Sequence, residues 1–325
     1  MNAHIQTALS ELDCLGITYD PASLHLYGTQ GIMSEVYILT TSVGELVVHI
    51  KKITPEQRAF GMPDKLKIVS DATRAFPHLP LAEVLSCVDL SDHAVTIQHK
   101  LPGHAAGSIE LRGNTTYMEW KEPVETVGPQ VEAALAAIHA QVPTEGFGVI
   151  ESFADGRIHA RYQSWKEFLM TEAPLWADAI AQKSLVTNPE DDMRPLFAQL
   201  FDRLFPLITY TGPSSLVCTD YINPSNVLMS DGKLSGLIDW EWALLADPAW
   251  DFTYCSPYSL TTYFSEQGIT SKEAQDDFRM RIRVCEMFVL LMWAYGTSND
   301  PRSSLFIACK ERIAPAVERF LADFN

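Results

Sequence analysis

Positive charge is scarce in this chain of 325 residues: 24 lysines and arginines stand against 41 acidic residues, a formal charge of −17. Such a surface repels nucleic acid and anionic membranes and favours cationic partners. Long apolar runs are missing too. The best candidate, "MFVLLMWAYG" at 287–296, falls short of the ~20 residues a bilayer requires and reads as a buried helix. The first residues, "MNAHIQTALSELDCLG", lack a basic region followed by an apolar stretch, so no secretion signal is expected. The six cysteines form no Cys-x-x-Cys pair. That spacing argues against a zinc site and suits reduced thiols in a cytosolic protein. Internal repeats and low-complexity tracts are absent.

What is present is an ordinary globular composition, 47% hydrophobic and 20% charged, enough for a large core. Residues 3–14 read as a short amphipathic helix. Three strands follow, "SLHLY", "EVYILTT" and "LVVHI", the last two joined by a hairpin-length turn at "SVGE". A loop of small residues, "GTQGIMS" (28–34), separates the first two. A helix is expected over 62–76, with Pro63 near its start and Leu66, Val69, Ala72 and Phe76 on one face. Two further strands lie near "AEVLSCV" and "HAVTIQH". Then "KLPGHAAG" (100–107) interrupts the pattern with Pro102 and Gly103. This suggests a division into 1–100 and 101–325 with a hinge near 98–103. Beyond it the chain reads as mostly helical, with helices over 131–141, 164–180, 193–208, 276–296 and 304–324.

The stretch from Leu216 to Phe252 carries the chemistry. "LVCTDYINPSNVLM" leads through a loop into a strand, "SDGK" turns, and "LSGLID" returns. A hairpin of this kind can set Asn226 and Asp239 at adjacent strand ends facing one cavity. Phosphoryl transfer from a nucleotide needs that arrangement: oxygen ligands for Mg²⁺ on the phosphates, and a nearby carboxylate to take the proton of the attacking hydroxyl. Asp220 is the candidate base, with Asn226 and Asp239 the candidate metal ligands. Asn223 and Ser225 are competing oxygen donors in the same loop.

The combination "CTDYINPSNVLMSDGKLSGLIDWEWALLADPAWDF" resembles the signature of the aminoglycoside phosphotransferase and choline kinase-like family. The matching positions are Asp220, Asn226, Ile238, Asp239, Trp240, Glu241, Asp247, Pro248 and Asp251. The helix "ALAAIHA" ahead of "GFG" is most similar to the hygromycin B phosphotransferase-like branch. The resemblance implies an α+β, bilobal protein kinase-like fold with a five-stranded antiparallel N-lobe and a mainly helical C-lobe. It further implies Mg²⁺, ATP or GTP as phosphate donor, and a small-molecule hydroxyl as acceptor. The nucleotide would lie among His49, Lys51, Gln98, His99, Leu101 and Ile238. Glu241, Trp240 and Asp251 are candidate acceptor contacts.

Several positions depart from that pattern. Cys218 replaces a histidine, and Asn226 follows Asp220 one residue late. His49 stands where the phosphate-binding cation is expected, with Lys51 two residues on and on the same strand face. The helix over 62–76 should offer that cation a glutamate but contains only Asp64 and Asp71; Asp71 could serve but is one methylene shorter. Structural roles are expected for His139, as a hydrogen-bonded core residue, and for Asp247, as a helix cap. The departures leave a second reading open, a degenerate kinase fold that binds a ligand without transferring phosphate. A protein kinase is disfavoured, because no Ala-Pro-Glu segment follows Asp239 and Asp-Trp-Glu replaces Asp-Phe-Gly.

Overall fold

In the computed structural model, residues 3–27, 34–61, 64–112, 115–219, 223–253, 257–298 and 302–323 are described. Helix α1 (Ala3–Cys14) buries Ile5, Ala8, Leu9 and Leu12, the apolar stripe of its helical period. The stripe packs on a sheet built from β1 (His25–Leu26), β2 (Ser34–Thr41), β3 (Gly44–Lys52), and then, after α2 (Pro55–Ala59) and α3 (Asp64–Thr73), β4 (Val84–Asp89) and β5 (His93–His99). All pairs are antiparallel, in the order β1-β2-β3-β5-β4. In β3, Leu46, Val48 and Ile50 join α1 in the core. Strand alternation therefore turns Val47, His49 and Lys51 to the opposite face.

The sequence reading did not contain α2, although its start is explicit. Thr54 accepts from Gln57 N, the Gln57 side chain accepts from Thr54 N, and Pro55 occupies the first turn, a complete capping box. Helix α3 is shorter than expected; Met62 and Pro63 lie outside the described residues. It lies between the two lobes, packed on β4 on one side and on a C-lobe strand and the segment after Asp239 on the other.

Past β5 come β6 (His104–Ala105), β7 (Gly107–Arg112), β8 (Thr115–Trp120), α4 (Val124–Gln141), β9 (Thr144–Glu145), β10 (Phe147–Ala154), β11 (Arg157–Tyr162), α5 (Trp165–Thr187) and α6 (Arg194–Leu204). The chain ends with β12 (Ser215–Val217), β13 (Val227–Ser230), β14 (Lys233–Leu237), β15 (Leu244–Ala246), α7 (Thr261–Glu266), α8 (Lys272–Gly296) and α9 (Ser304–Asp323). The long helices enclose a core that includes Trp165, Phe168, Trp176, Trp250, Phe252 and Phe288. Buried Glu132 on α4 accepts from the backbone N–H groups of Leu260, Thr262 and Tyr263, tying α4 to the start of α7. No described helix is long and apolar enough to cross a membrane.

This half holds more strand than its sequence reading suggested. A second five-stranded sheet runs β12-β15-β10-β11-β9, and β7 pairs with β8 alone. The β10–β11 turn is Asp155-Gly156, both at positive φ (51° and 74°), a preferred pair for a tight hairpin. A third sheet, β14-β13-β6, carries the candidate loop.

Candidate active site

The site starts from the β13–β14 hairpin. Val227 pairs with Leu237, and Ile238 N donates to Asn226 O at 3.0 Å. That bond sets Asn226 directly across from Ile238 and the following Asp239. The hairpin closes through Asp231 and Gly232, both at positive φ (51° and 73°), so the turn residues and strand register agree. Asp239 then adopts a left-handed backbone, φ 69° and ψ 53°, with its side chain exposed. A non-glycine residue in this region costs roughly 1–2 kcal/mol, and such backbones cluster at functional sites.

On the other side of the hairpin Asn226 ends a short 3-10 turn, Pro224–Asn226, and is 6% exposed. Asn223 caps that turn: its Oδ1 accepts from Ser225 N at 3.0 Å and from Ser225 Oγ at 2.7 Å. The Ser225 hydroxyl also lies 3.3 Å from Asn226 Oδ1. Of the three candidate oxygen donors, Asn223 is thus engaged in holding the loop, while Asn226 sits beside Asp239. Asp220, the candidate base, lies outside the described residues together with Tyr221 and Ile222. The residue before that gap is Thr219, whose buried Oγ1 has no hydrogen-bond partner.

Cys218 anchors the loop's entry. Its N–H donates to Asp251 Oδ1 at 2.5 Å, and its Sγ donates to Asp239 O at 3.4 Å. The thiol therefore links the loop to the Asp239 segment, a bracing role open to the histidine it replaces. Asp251 is 0% exposed; its Oδ2 lies 2.9 Å from His139 Nε2, and His139 Nδ1 lies 3.0 Å from the Tyr263 hydroxyl. Burial raises the Asp251 pKa, opposed by His139 and the Cys218 N–H. With both oxygens occupied in the core, Asp251 faces the loop backbone and not an acceptor. Trp240 is likewise buried, its Nε1 donating to Leu237 O at 3.0 Å. Asp247 is buried and caps the next turn through Ala249 N, with Arg281 as its ion-pair partner.

Across the cleft, β3 presents His49 and Lys51. Burial lowers the His49 pKa to about 4; Asp239 acts in the opposite direction and Lys51 in the same one. His49 is therefore neutral at physiological pH and is close enough to Asp239 to feel its charge. Lys51 is 7% exposed and forms an ion pair with Glu241. The expected partner, Asp71, is engaged elsewhere, 2.5 Å from Lys67 Nζ and 2.8 Å from Arg74 Nη2. The inward position on α3 belongs instead to Lys65, which is fully buried and whose Nζ has no hydrogen-bond partner. Burial lowers its pKa to about 7, with Cys218 opposing and Lys51 reinforcing the shift.

A recess beneath α3 is lined by Val69, Val84, Gln98, Ile238, Asp239 and Trp240 among others. It brings together Gln98, Ile238 and Asp239. Leu101 packs over β14, where a Cβ at Gly236 would lie 2.6 Å from Leu101 Cδ1, so the absence of a side chain at 236 leaves room for the Leu101 methyl. His99 turns away, its N bonded to Glu83 O at 2.9 Å and its ring 3.8 Å from the Glu83 carboxylate.

Residues 29–278 match the profile of the phosphotransferase enzyme family. The chain belongs to that family and is a phosphotransferase. Among curated proteins, none matches its sequence. Among solved structures, aminoglycoside phosphotransferase APH(4)-Ia is similar, with 17% identity and a TM-score of 0.63 over 97% of this chain and 98% of that one. A thermostable mutant of it, in ternary complex with AMP-PNP and hygromycin B, has 17% identity and a TM-score of 0.60 over 94% and 96%. The apoenzyme of macrolide 2'-phosphotransferase MphH from Brachybacterium faecium has 16% identity and a TM-score of 0.55 over 96% and 97%. At such identities the likeness is one of fold, and the fold is kinase-like: an antiparallel sheet lobe above a helical lobe.

Proposed function

We propose that this phosphotransferase moves the γ-phosphate of ATP or GTP to a hydroxyl of a small molecule, in the cleft between β3 and the β13–β14 hairpin. The observation that carries the reading is the hydrogen-bonded register that sets Asn226 beside Asp239 at the edge of the recess. Among the described residues no cluster of three or more histidine, cysteine and acidic side chains could hold a metal alone. An amide oxygen with a carboxylate nevertheless suits Mg²⁺, which commonly takes one or two carboxylates and completes its shell with phosphate oxygens and water. Bound there, Mg²⁺ would offset charge on the β- and γ-phosphates.

The chain's own residues supply the rest. Lys51 offers a fixed positive charge to phosphate oxygens; neutral His49 offers only a hydrogen bond. Gln98, Leu101 and Ile238 line the base side of the nucleotide, near the proposed hinge at 98–103 between lobes 1–100 and 101–325. Asp220 accepts the acceptor hydroxyl's proton, held in a loop whose entry is pinned by Asp251 through Cys218 N. Rate enhancement then comes from positioning and electrostatics, with no covalent enzyme intermediate. The charge of −17 favours a cationic, hydroxyl-bearing acceptor such as an aminoglycoside-like amine, a sugar derivative or a natural product.

The test offers the protein γ-labelled ATP or GTP with Mg²⁺ and a panel of hydroxylated amines, sugars and macrolides. Label should move to at least one acceptor in a Mg²⁺-dependent way, and Asp220→Asn should abolish transfer while retaining nucleotide binding. Full turnover by Asp220→Asn, or no Mg²⁺-dependent nucleotide binding by the wild type, contradicts the proposal.

A further inference from the structure

We infer that Glu241 is the residue that positions Lys51, so that one short segment delivers both the candidate metal ligand Asp239 and the anchor of the phosphate-binding cation. This rests on the phosphotransfer reading above and adds the origin of the cation's alignment.

Three observations converge on it. First, Lys51 lies on the cleft face of β3, nearly buried, with its ammonium on the Glu241 carboxylate. An ion pair this secluded holds its geometry better than an exposed one, and loss of one partner leaves an uncompensated charge. Second, α3, which packs against both lobes, has no acid available for the task. Asp64 is exposed, Asp71 bridges Lys67 and Arg74, and the buried inward position is Lys65. A lysine there cannot anchor Lys51; in its charged form it repels it. Third, Glu241 sits on a rigid platform. The turn Trp240–Trp242 follows Asp239 directly, and Trp240 is buried with Nε1 on Leu237 O. Ala243 N closes the turn on Trp240 O at 3.1 Å. Asp239 and Glu241 therefore move as one body with the end of β14.

The consequence is a coupling that an anchor on α3 would not produce. Any shift of the Asp239 segment displaces the candidate metal ligand and the anchor of the cation together, since both sit on one short stretch of backbone. Glu241 is then a positioning residue for Lys51 and not an acceptor contact.

The test combines amine labelling with kinetics. In ligand-free protein, Lys51 acetylation by a small anhydride is read by mass spectrometry. Glu241→Gln should raise that labelling several-fold, because the amine loses the carboxylate that holds and shields it. In the presence of Mg²⁺ and nucleotide, Glu241→Gln should raise nucleotide KM about tenfold, the scale of losing one charge-assisted hydrogen bond. Glu241→Asp should recover part of that loss. In a Lys51→Met background, Glu241→Gln should add nothing further to nucleotide KM. If Glu241→Gln does not fold, the labelling comparison is made with Glu241→Asp, which should show an intermediate rise. Unchanged Lys51 labelling, equal KM effects in both backgrounds, or a rise confined to acceptor KM overturns the inference while leaving the phosphotransfer reading intact. Failure of the wild type to bind Mg²⁺-nucleotide overturns both.

Discussion

Lys65 offers the sharpest physical prediction, because the fold buries an amine and gives it no hydrogen-bond partner. Its side chain is 0% exposed, its Nζ has no hydrogen-bond acceptor, and its aromatic contact is a cation–π approach to Phe60 at 5.9 Å from the ring centroid, close to the outer limit of such contacts. Burial takes its pKa from 10.5 to about 7. Each tenfold loss of proton affinity corresponds to ~1.36 kcal/mol, so holding this amine in the core at pH 7 costs on the order of 4 kcal/mol. Methionine has similar length, flexibility and no charge. Lys65→Met should therefore stabilise the protein at pH 7 by roughly 2–4 kcal/mol after allowance for relaxation around the native amine. The direction with pH follows from proton counting. Between pH 7 and 10.5 the unfolded chain holds a proton on Lys65 that the folded chain does not, so wild-type stability rises with pH across that window. Below pH 7 the amine is charged in both states and the penalty is at its full size. The gap between variant and wild type should thus shrink as pH climbs from 7 towards 10. Urea unfolding followed by fluorescence of the seven tryptophans at pH 7 and pH 9.5 measures it. Groups that titrate alike in both proteins cancel in the difference. A gap equal at the two pH values, or a destabilised variant, refutes the reasoning.

The loop anchor and the cleft histidine give two further predictions. Asp251→Ala removes the acceptor of Cys218 N–H and of His139; breaking a buried charged network typically costs about 3–5 kcal/mol, and kcat should fall with it as the loop loosens. Asp251→Asn can keep both contacts if His139 changes tautomer, so denaturation midpoints should rank wild type, then Asn, then Ala; equal midpoints for all three contradict the assignment. His49 has its pKa depressed to about 4, so the stability it contributes is present above pH 6.5 and is lost as pH falls towards 4. His49→Gln should flatten that part of the acid-unfolding profile, and nucleotide KM in the wild type should show no titration between pH 6 and 8 attributable to this ring; an unaltered profile in the variant would count against it.

How much of this was legible in the sequence depends on how local the cause is. The juxtaposition of Asn226 with Asp239 could be read because every determinant lies within one hairpin: the Asp-Gly turn, the alternation of apolar residues, and a loop closed by its own Asn223. The five-strand lobe was legible for the same reason. The β10–β11 hairpin carried an equally clear signal in Asp155-Gly156, but its strands are flanked by helical patterns that dominated the reading. Strands β12 and β15 are three-residue pieces of apolar runs, which periodicity alone cannot distinguish from buried helix. Helix α4 begins at Val124, well before the expected start, and carries Pro129 inside it; an interior proline gives up one helical hydrogen bond and reads in sequence as a breaker, which hid the first turns.

Side-chain partners set by tertiary approach were out of reach. Nothing local shows that Lys51 meets Glu241 across the cleft, or that Asp71 is taken by Lys67 and Arg74. The apolar face Leu66, Val69, Ala72 and Phe76 accounts for one side of the helix only, yet α3 lies between two lobes and Lys65, off that face, is buried as well. Asp251 reads as an accessible acid, and only the packing of α4 against β12 reveals it as the internal acceptor for the loop backbone.

The central claim is that Asn226 and Asp239 together hold a metal–nucleotide complex. Calorimetric titration of nucleotide with and without Mg²⁺, in the wild type and in Asp239→Ala, tests it most directly. The account predicts tighter binding with Mg²⁺ in the wild type and loss of that enhancement in the variant, with metal-free binding little changed. An undiminished Mg²⁺ effect in Asp239→Ala would contradict it.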